Sequence, residues 1–191
     1  RKQIDEYAIT VFGSSVFAPW LYVYTSCRGS FIEGWIPDNY YGSIVCPTIN
    51  KSLSNISRFR SFARLMTNDD CIPDLGYIIN GRYFNKNFKH LPFSQIKEIL
   101  FNNATAIYFK SDESNRGTGV RKINSENFDE STVLRLPDGV FQEAILQHEK
   151  FDDFDVRAVT TIRLTTVLTM DCKAQVRAAY VRFGDGQEAF V

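Results

Sequence analysis

The sequence predicts an α+β protein of two lobes, each a mostly antiparallel sheet with helices packed on it. One observation is Asn80-Gly81 between two apolar runs, because these residues supply the two positive φ angles of a tight hairpin turn. A second is the helical spacing of apolar residues in 54–66 and 94–101. A third is the alternating pattern of two segments after Thr160, which predicts a long antiparallel strand pair.

The two helical segments place their polar residues differently. In the first, three arginines lie largely off the apolar stripe and are expected in solvent: Arg58, Arg60 and Arg64. In the second, Ser94 precedes the apolar face and is expected to act as the N-cap. In the strand pair, Arg163 alternates with apolar residues and is expected on the polar face.

The first fifty residues are rich in aromatic side chains. Three prolines interrupt them and predict an irregular region: Pro19, Pro37 and Pro47. The aromatic residues favour the packed interior of a small lobe over a carbohydrate-stacking surface, because no polar partners recur beside them. We therefore divide the chain into an N-terminal region, 1–50, a first lobe, 51–138, and the start of a second lobe, 139–191.

Composition excludes several classes of function. The 191 residues are 44% hydrophobic and 23% charged, and their formal net charge of zero argues against a nucleic-acid partner. No apolar run approaches the ~18 residues of a membrane span, so we predict no span and a cytoplasmic protein. The four cysteines form no Cys-x-x-Cys pair, and we expect buried thiols rather than a zinc site.

Lys110 ends a short apolar run and opens a polar loop. The loop, 111–119, contains Arg116 and ends in Gly117-Thr118-Gly119. Glycine lets backbone N–H groups approach phosphates closely, and Lys and Arg supply positive charge, so the pattern predicts a polyphosphate site. The spacing fits neither the P-loop nor the three-glycine dinucleotide fingerprint. The alternative interpretation is a hairpin loop that binds nothing.

Two further segments follow this loop in order. An apolar strand is interrupted by Gln142-Glu143, and a later strand contains Thr161-Ile162-Arg163. With Lys110 and its loop, this order resembles the ATP-grasp superfamily, most closely the sugar-transfer associated group of polysaccharide biosynthesis. The resemblance runs from about residue 34 to the C-terminus, with Ser111 and Thr160 standing where that group usually has Pro and Asn.

The resemblance implies a nucleotide cleft enclosed by the two lobes. The nucleotide-binding residues that it implies are Lys110, Arg116, Gly117, Thr118, Gly119, Gln142, Glu143, Ile145 and His148. Of these, Lys110 would contact the α- and β-phosphates, the loop would fold over the triphosphate, and residues 142–145 would form the adenine hinge. Arg163 is the implied catalytic residue, which would stabilise charge on the transferred phosphoryl group. The first phosphate-binding lysine of the family has no counterpart, and only Arg58 or Arg60 could replace it.

The implied activity is an ATP-dependent carboxylate–amine ligase, or a related one, acting through an acyl phosphate in polysaccharide or cell-surface glycan biosynthesis. ATP and Mg²⁺ are the implied cofactors, and the partner is a small-molecule or sugar-linked acceptor. We expect the metal ligands beyond Val191, so the chain is expected to be a fragment, with an incomplete second lobe, that does not catalyse alone. Two alternatives stay open: a non-catalytic carbohydrate- or protein-interaction module, and a phosphotransferase that uses the same cleft.

Overall fold

The computed structural model describes residues 1–67, 71–114, 118–154 and 159–183. The chain separates into two compact units, Arg1–Arg58 and Phe59–Val191. The first unit is helical, and the second contains antiparallel sheet with short helices. The predicted α+β class with mostly antiparallel sheet is therefore confirmed.

The first unit is helical rather than irregular, so the expectation for residues 1–50 was wrong. Its α-helices are α1 (Lys2–Phe12), α2 (Ala18–Arg28), α3 (Asp38–Tyr40) and α4 (Cys46–Asn50). Two of the prolines that predicted irregularity lie in the first turns of α2 and α4, where the missing N–H costs nothing. Helices α1 and α2 end at Gly13 and Gly29, whose φ angles of 82° and 86° are easily adopted only by glycine.

The interior of this unit is aliphatic with half-buried aromatic rings packed on it, while Trp20 (39%) and Tyr41 (49%) are exposed, so the packing interpretation is correct in part. Ile4, Ala8, Ala18 and Leu21 are buried, and six aromatic rings pack against them: Tyr7, Phe12, Tyr22, Tyr24, Phe31 and Trp35. Within the described residues, no single helix is long and apolar enough to cross a membrane. Helix α1 and the stretch Ser15–Arg28 meet that criterion only as a pair, bent by 118°.

The second unit is built on a six-stranded sheet. Its strands are β1 (Asp74–Ile79), β2 (Arg82–Asn85), β3 (His90–Leu91), β4 (Ala106–Ser111), β5 (Val120–Asn124) and β6 (Gly139–Glu143). They are arranged in the order β3-β2-β1-β6-β4-β5, and every neighbouring pair is antiparallel. Three short helices accompany the sheet: α5 (Ala63–Thr67), α6 (Ile96–Leu100) and α7 (Glu130–Val133).

A separate two-stranded sheet follows. Its strands, β7 (Thr161–Leu168) and β8 (Ala174–Arg182), pair antiparallel as predicted, and every residue in them is exposed. Strand β6 lies between β1 and β4, in the middle of the large sheet. The chain therefore changes sheet after Glu143, whereas the sequence placed the lobe boundary at 138/139.

The predicted hairpin turn is present between β1 and β2. Asn80 and Gly81 have φ angles of 52° and 66°, the two positive values that this turn requires. Their backbone N–H groups donate to the carboxylate of Asp138 over 2.8 and 3.2 Å. The turn is thereby tied to the residue that precedes β6.

Two helices that the sequence predicts differ from the helices in the structure. Residues 54–66 do not form one helix, because Phe59 is extended (φ −91°, ψ 98°) and separates Lys51–Arg58 from the turn Arg60–Phe62 and α5. The break directs Ser61 inward, where it is 1% exposed. Ser94 lies inside a 3₁₀ turn, Phe93–Gln95, and makes no side-chain cap, so its predicted N-cap role was wrong.

Candidate functional site

The register of the central strands sorts their side chains into two faces, since residues paired across antiparallel strands point to the same side. On the first face a buried cluster forms against α6 and α7: Ile78, Tyr83, Ile96, Leu100, Ile107, Phe109, Val133, Leu136 and Phe141. We call the opposite side of the sheet the second face. On it, strand pairing aligns two rows of side chains across β5, β4, β6 and β1. The rows are Lys122–Tyr108–Gln142–Asp74 and Val120–Lys110–Val140–Tyr77.

Asp74 is a buried carboxylate at the β1 end of the second face. It accepts hydrogen bonds from the Tyr77 hydroxyl over 2.9 Å and from Nε2 of Gln142 over 2.7 Å. Burial, followed by the hydrogen bond to Asp74, raises the pKa of Tyr77 to about 12. Phe88 stacks on the Tyr77 ring at 4.5 Å between centroids and covers this end of the face.

Lys110 lies on the second face near the end of β4, half-buried and one row from Gln142. Burial lowers the pKa of Lys110 below its ordinary value, the nearby Arg60 guanidinium lowers it further, and the Asp74 carboxylate opposes the shift. Among the residues that the structure describes, none accepts a hydrogen bond from the ammonium group or forms an ion pair with it within 4 Å.

Arg60 does not belong to a solvated arginine face, contrary to the expectation. Its guanidinium donates to the backbone oxygen of Ser111 (3.1 Å) and to the hydroxyl and backbone oxygens of Ser114 (2.7 and 2.8 Å). The next residue, Ser61, donates from its N–H and hydroxyl to the Asp112 carboxylate over 3.0 and 2.7 Å. Residues 60 and 61 therefore hold the start of the loop that follows Lys110.

We call residues 112–119 the glycine loop. Gly119 closes it, since its carbonyl oxygen accepts from the Ser111 N–H over 2.9 Å. A Cβ atom at Gly119 would overlap the hydroxyl oxygens of Ser111 and Ser114 and lie 2.5 Å from Cβ of Ser114. Glycine is required here by the close approach of these side chains. Thr118 is exposed, and the predicted site residues Arg116 and Gly117 lie outside the described residues.

The predicted hinge residues do not share one environment. Gln142 is 8% exposed and its amide nitrogen is engaged by Asp74. Glu143 is exposed, and its N–H donates to the backbone oxygen of Pro73 over 2.9 Å. Ile145 is exposed, and Nδ1 of the exposed His148 accepts from the Lys150 N–H over 3.2 Å. The sheet brings Gln142 near Lys110, and no described contact brings Ile145 or His148 there.

Arg163 lies on β7, directly opposite Tyr180 of β8. It donates to the Tyr180 hydroxyl over 2.9 Å, and this hydrogen bond raises the pKa of Arg163. No hydrogen bond or ion pair within the described ranges connects it to Lys110. Two late carboxylates of the sequence, Asp185 and Glu188, lie outside those ranges.

In residues 1–67, 71–114, 118–154 and 159–183, no three His, Cys, Asp or Glu side chains converge as a metal site would require. The expectation of four buried thiols was wrong, because Cys27, Cys71 and Cys172 are exposed and Cys46 is half-buried.

Sequence reasoning missed Asp74, and it named Arg60 only as one of two arginines that could replace the family's first phosphate-binding lysine. Asp74 carried one usable signal, since it is an acidic residue directly before the apolar run of β1, where burial is expected. The residues around Arg60 gave no signal of burial, because a position off a helical stripe is typical of a solvent-exposed residue. The role of Arg60 depends on the break at Phe59, which the local pattern does not predict.

The fold and the site define an antiparallel α+β protein with a half-buried cation pair beside a glycine-containing loop. No family model, no curated protein and no solved structure matches this chain.

Proposed function

We propose that the protein binds the phosphates of ATP at Lys110, with the glycine loop over them, in an ATP-grasp-like site. One observation carries the proposal. The Lys110 ammonium is half-buried beside a second cation, Arg60, and no anion among the described residues pairs with it. Burying a charge costs free energy unless an opposite charge offsets it, and a phosphate group supplies that charge.

The neighbouring residues suit a phosphate ligand. Lys110 acts as a point charge on the phosphates, and Arg60 adds positive charge while it holds the loop at Ser111 and Ser114. The absence of a side chain at Gly119 keeps the loop backbone close to the end of β4. Gln142 already donates to Asp74, so its carbonyl oxygen is the group left to accept from the exocyclic amine of adenine.

The reaction that we propose is the one that the resemblance to the ATP-grasp superfamily implies. The γ-phosphoryl group of ATP passes to a carboxylate, giving ADP and an acyl phosphate, and an amine then displaces phosphate to form an amide. The acceptor is a small molecule or a sugar-linked group in glycan biosynthesis. Arg163 is the residue proposed to stabilise the charge of the phosphoryl group.

Calorimetric titration of the chain with ATP and magnesium tests the proposal. Lys110→Ala removes one charge-assisted phosphate contact and is expected to weaken binding by about 10- to 100-fold, or roughly 1.5–3 kcal/mol. Lys89→Ala is the matched control, because Lys89 is an exposed lysine on the turn between β2 and β3. Equal affinity in the two variants would refute the phosphate site.

One observation favours the second candidate, a non-catalytic interaction module. One side of the β7–β8 hairpin is apolar and exposed: Ile162, Leu164, Leu168, Val176 and Val181. An exposed apolar patch is typical of a protein-binding surface, and an isolated two-stranded sheet is marginally stable without a covering layer. ATP binding that depends on Lys110 would separate the first candidate from this one.

A further inference from the structure

Lys122 is a second cation on the second face, besides Lys110. It pairs with Tyr108 across β5 and β4, and Lys110 pairs with Val120 in the next row. Two residues along a strand span about 7 Å, so Lys122 lies one row farther from the glycine loop than Lys110. Diagonal neighbours of this kind lie about 7–8 Å apart, within reach of long side chains.

The charge changes sign along the row of side chains that contains Lys122. Its β5 end is the exposed ammonium of Lys122, for which no described carboxylate forms an ion pair. Its β1 end is the buried carboxylate of Asp74, whose two oxygens are occupied by Tyr77 and Gln142. An anion on this face is therefore attracted to the β4–β5 half and repelled from the β1 half.

Strand β5 also contains a neighbouring cation, Arg121, with which Lys122 can be compared. Arg121 precedes Lys122 and pairs with Phe109, a member of the buried cluster, so Arg121 lies on the first face. Charges on an edge strand discourage pairing with another chain, which accounts for Arg121 and Lys122 equally. That account gives no reason for Lys122 to share a face with Lys110.

We infer that Lys122 is a further binding residue, which contacts a second phosphate group of the chain that Lys110 and Arg60 hold. The inference rests on the proposed phosphate site. One phosphate group lies at Lys110 and Arg60 beside the glycine loop, and a linked phosphate group extends along β4 and β5 to Lys122. These three cations repel one another, and a polyphosphate offsets that repulsion at all three positions.

Titrations with tripolyphosphate and with orthophosphate, at one fixed ionic strength, test this inference. Lys122→Gln is expected to weaken tripolyphosphate binding by about three- to tenfold, because an exposed charge contact is weaker than a buried one. It is expected to leave orthophosphate binding unchanged. Arg121→Gln, the same loss of charge on the first face, is expected to change neither. Both side chains are exposed, so melting temperatures should match the wild type.

The outcomes separate this inference from the function on which it rests. If Lys122→Gln and Arg121→Gln bind tripolyphosphate alike, while Lys110→Ala weakens both anions, the inference is overturned and the phosphate site at Lys110 stands. If Lys110→Ala also leaves both anions unaffected, the proposed function is overturned with it. A loss of tripolyphosphate affinity that is confined to Lys122→Gln and Lys110→Ala supports both.

Discussion

Gln142 on β6 donates a 2.7 Å hydrogen bond from its amide to the buried carboxylate of Asp74 on β1, a residue 68 positions earlier in the chain. The bond crosses two neighbouring strands and sets which end of the amide faces Asp74. With the Tyr77 hydroxyl on the other carboxylate oxygen, it gives each oxygen of Asp74 a donor. A buried charge in this position depends on these donors.

Replacing Gln142 by Leu should destabilise the second unit. The change keeps a similar side-chain volume and leaves Oδ1 of Asp74 buried without this donor, which costs about 1–3 kcal/mol. Urea denaturation measures the loss as a lower free energy of unfolding. Glu143→Gln is the control, because Glu143 is the exposed next residue of the same strand and its replacement should stay within about 0.5 kcal/mol. Equal stability of the two variants would mean that the Asp74 bond contributes little.

The Tyr77 hydroxyl should make stability depend on alkaline pH. Its pKa is about 12 in the folded protein against 10.0 as the ordinary value. Because the folded pKa is raised, the stabilisation is fully present below pH 10 and is lost as pH rises to 12. Tyr77→Phe lacks the ionisable group, so the wild type should be more stable at neutral pH and the two should converge towards pH 12. A difference that does not change with pH would contradict this.

The lowered pKa of Lys110 should make anion binding sensitive to pH. Since burial and Arg60 favour the neutral amine, the wild type should lose affinity for ATP at a lower pH than an ordinary lysine would. Lys110→Arg keeps its charge at every accessible pH, so its affinity should stay nearly constant between about pH 7 and pH 10. Calorimetry across this range compares the two. The same dependence of ATP affinity on pH in the wild type and in Lys110→Arg would show that Lys110 does not contact the anion.

Gly119→Ala should disturb the glycine loop. The added methyl group would overlap the side chains of Ser111 and Ser114, and Arg60 holds Ser114 in place through two hydrogen bonds. Overpacking of this kind costs about 1–3 kcal/mol, seen as a lower melting temperature. In the control, Gly42→Ala, the methyl group meets no atom within 4 Å, and alanine is favoured over glycine in a helix. An unchanged melting temperature in Gly119→Ala would show that the loop accommodates the methyl group.

Local patterns predicted the elements whose conformations depend on nearby residues. Asn80-Gly81 predicted the hairpin turn because few other residues adopt two consecutive positive φ angles. The alternation after Thr160 predicted β7 and β8 because period two is the geometry of a strand. The prolines of the first fifty residues led to a wrong prediction of irregular structure, since proline occurs both in loops and in the first turn of a helix.

The candidate site was predictable only in part. Lys110 at the end of a strand, followed by a glycine-containing loop, was visible in the sequence, and the structure has that arrangement. The half-burial of Lys110 and the approach of Arg60 were not visible, because they depend on the break at Phe59 and on the packing of residues 60–62 against the sheet. For Arg163, the sequence predicted the strand but not the hydrogen-bond partner. Its described partner, Tyr180, is set by the register of β7 and β8.

The sequence by itself determined the α+β class, the hairpin turn, the long strand pair and the position of Lys110 at a strand end. These depend on backbone preferences and on side-chain periodicity within a few residues. Only the tertiary structure decided that Lys122, Tyr108, Gln142 and Asp74 form one row across four strands. The physical reason is that strand order and register follow from burying the first face against α6 and α7, a condition on the whole sheet that no local segment contains.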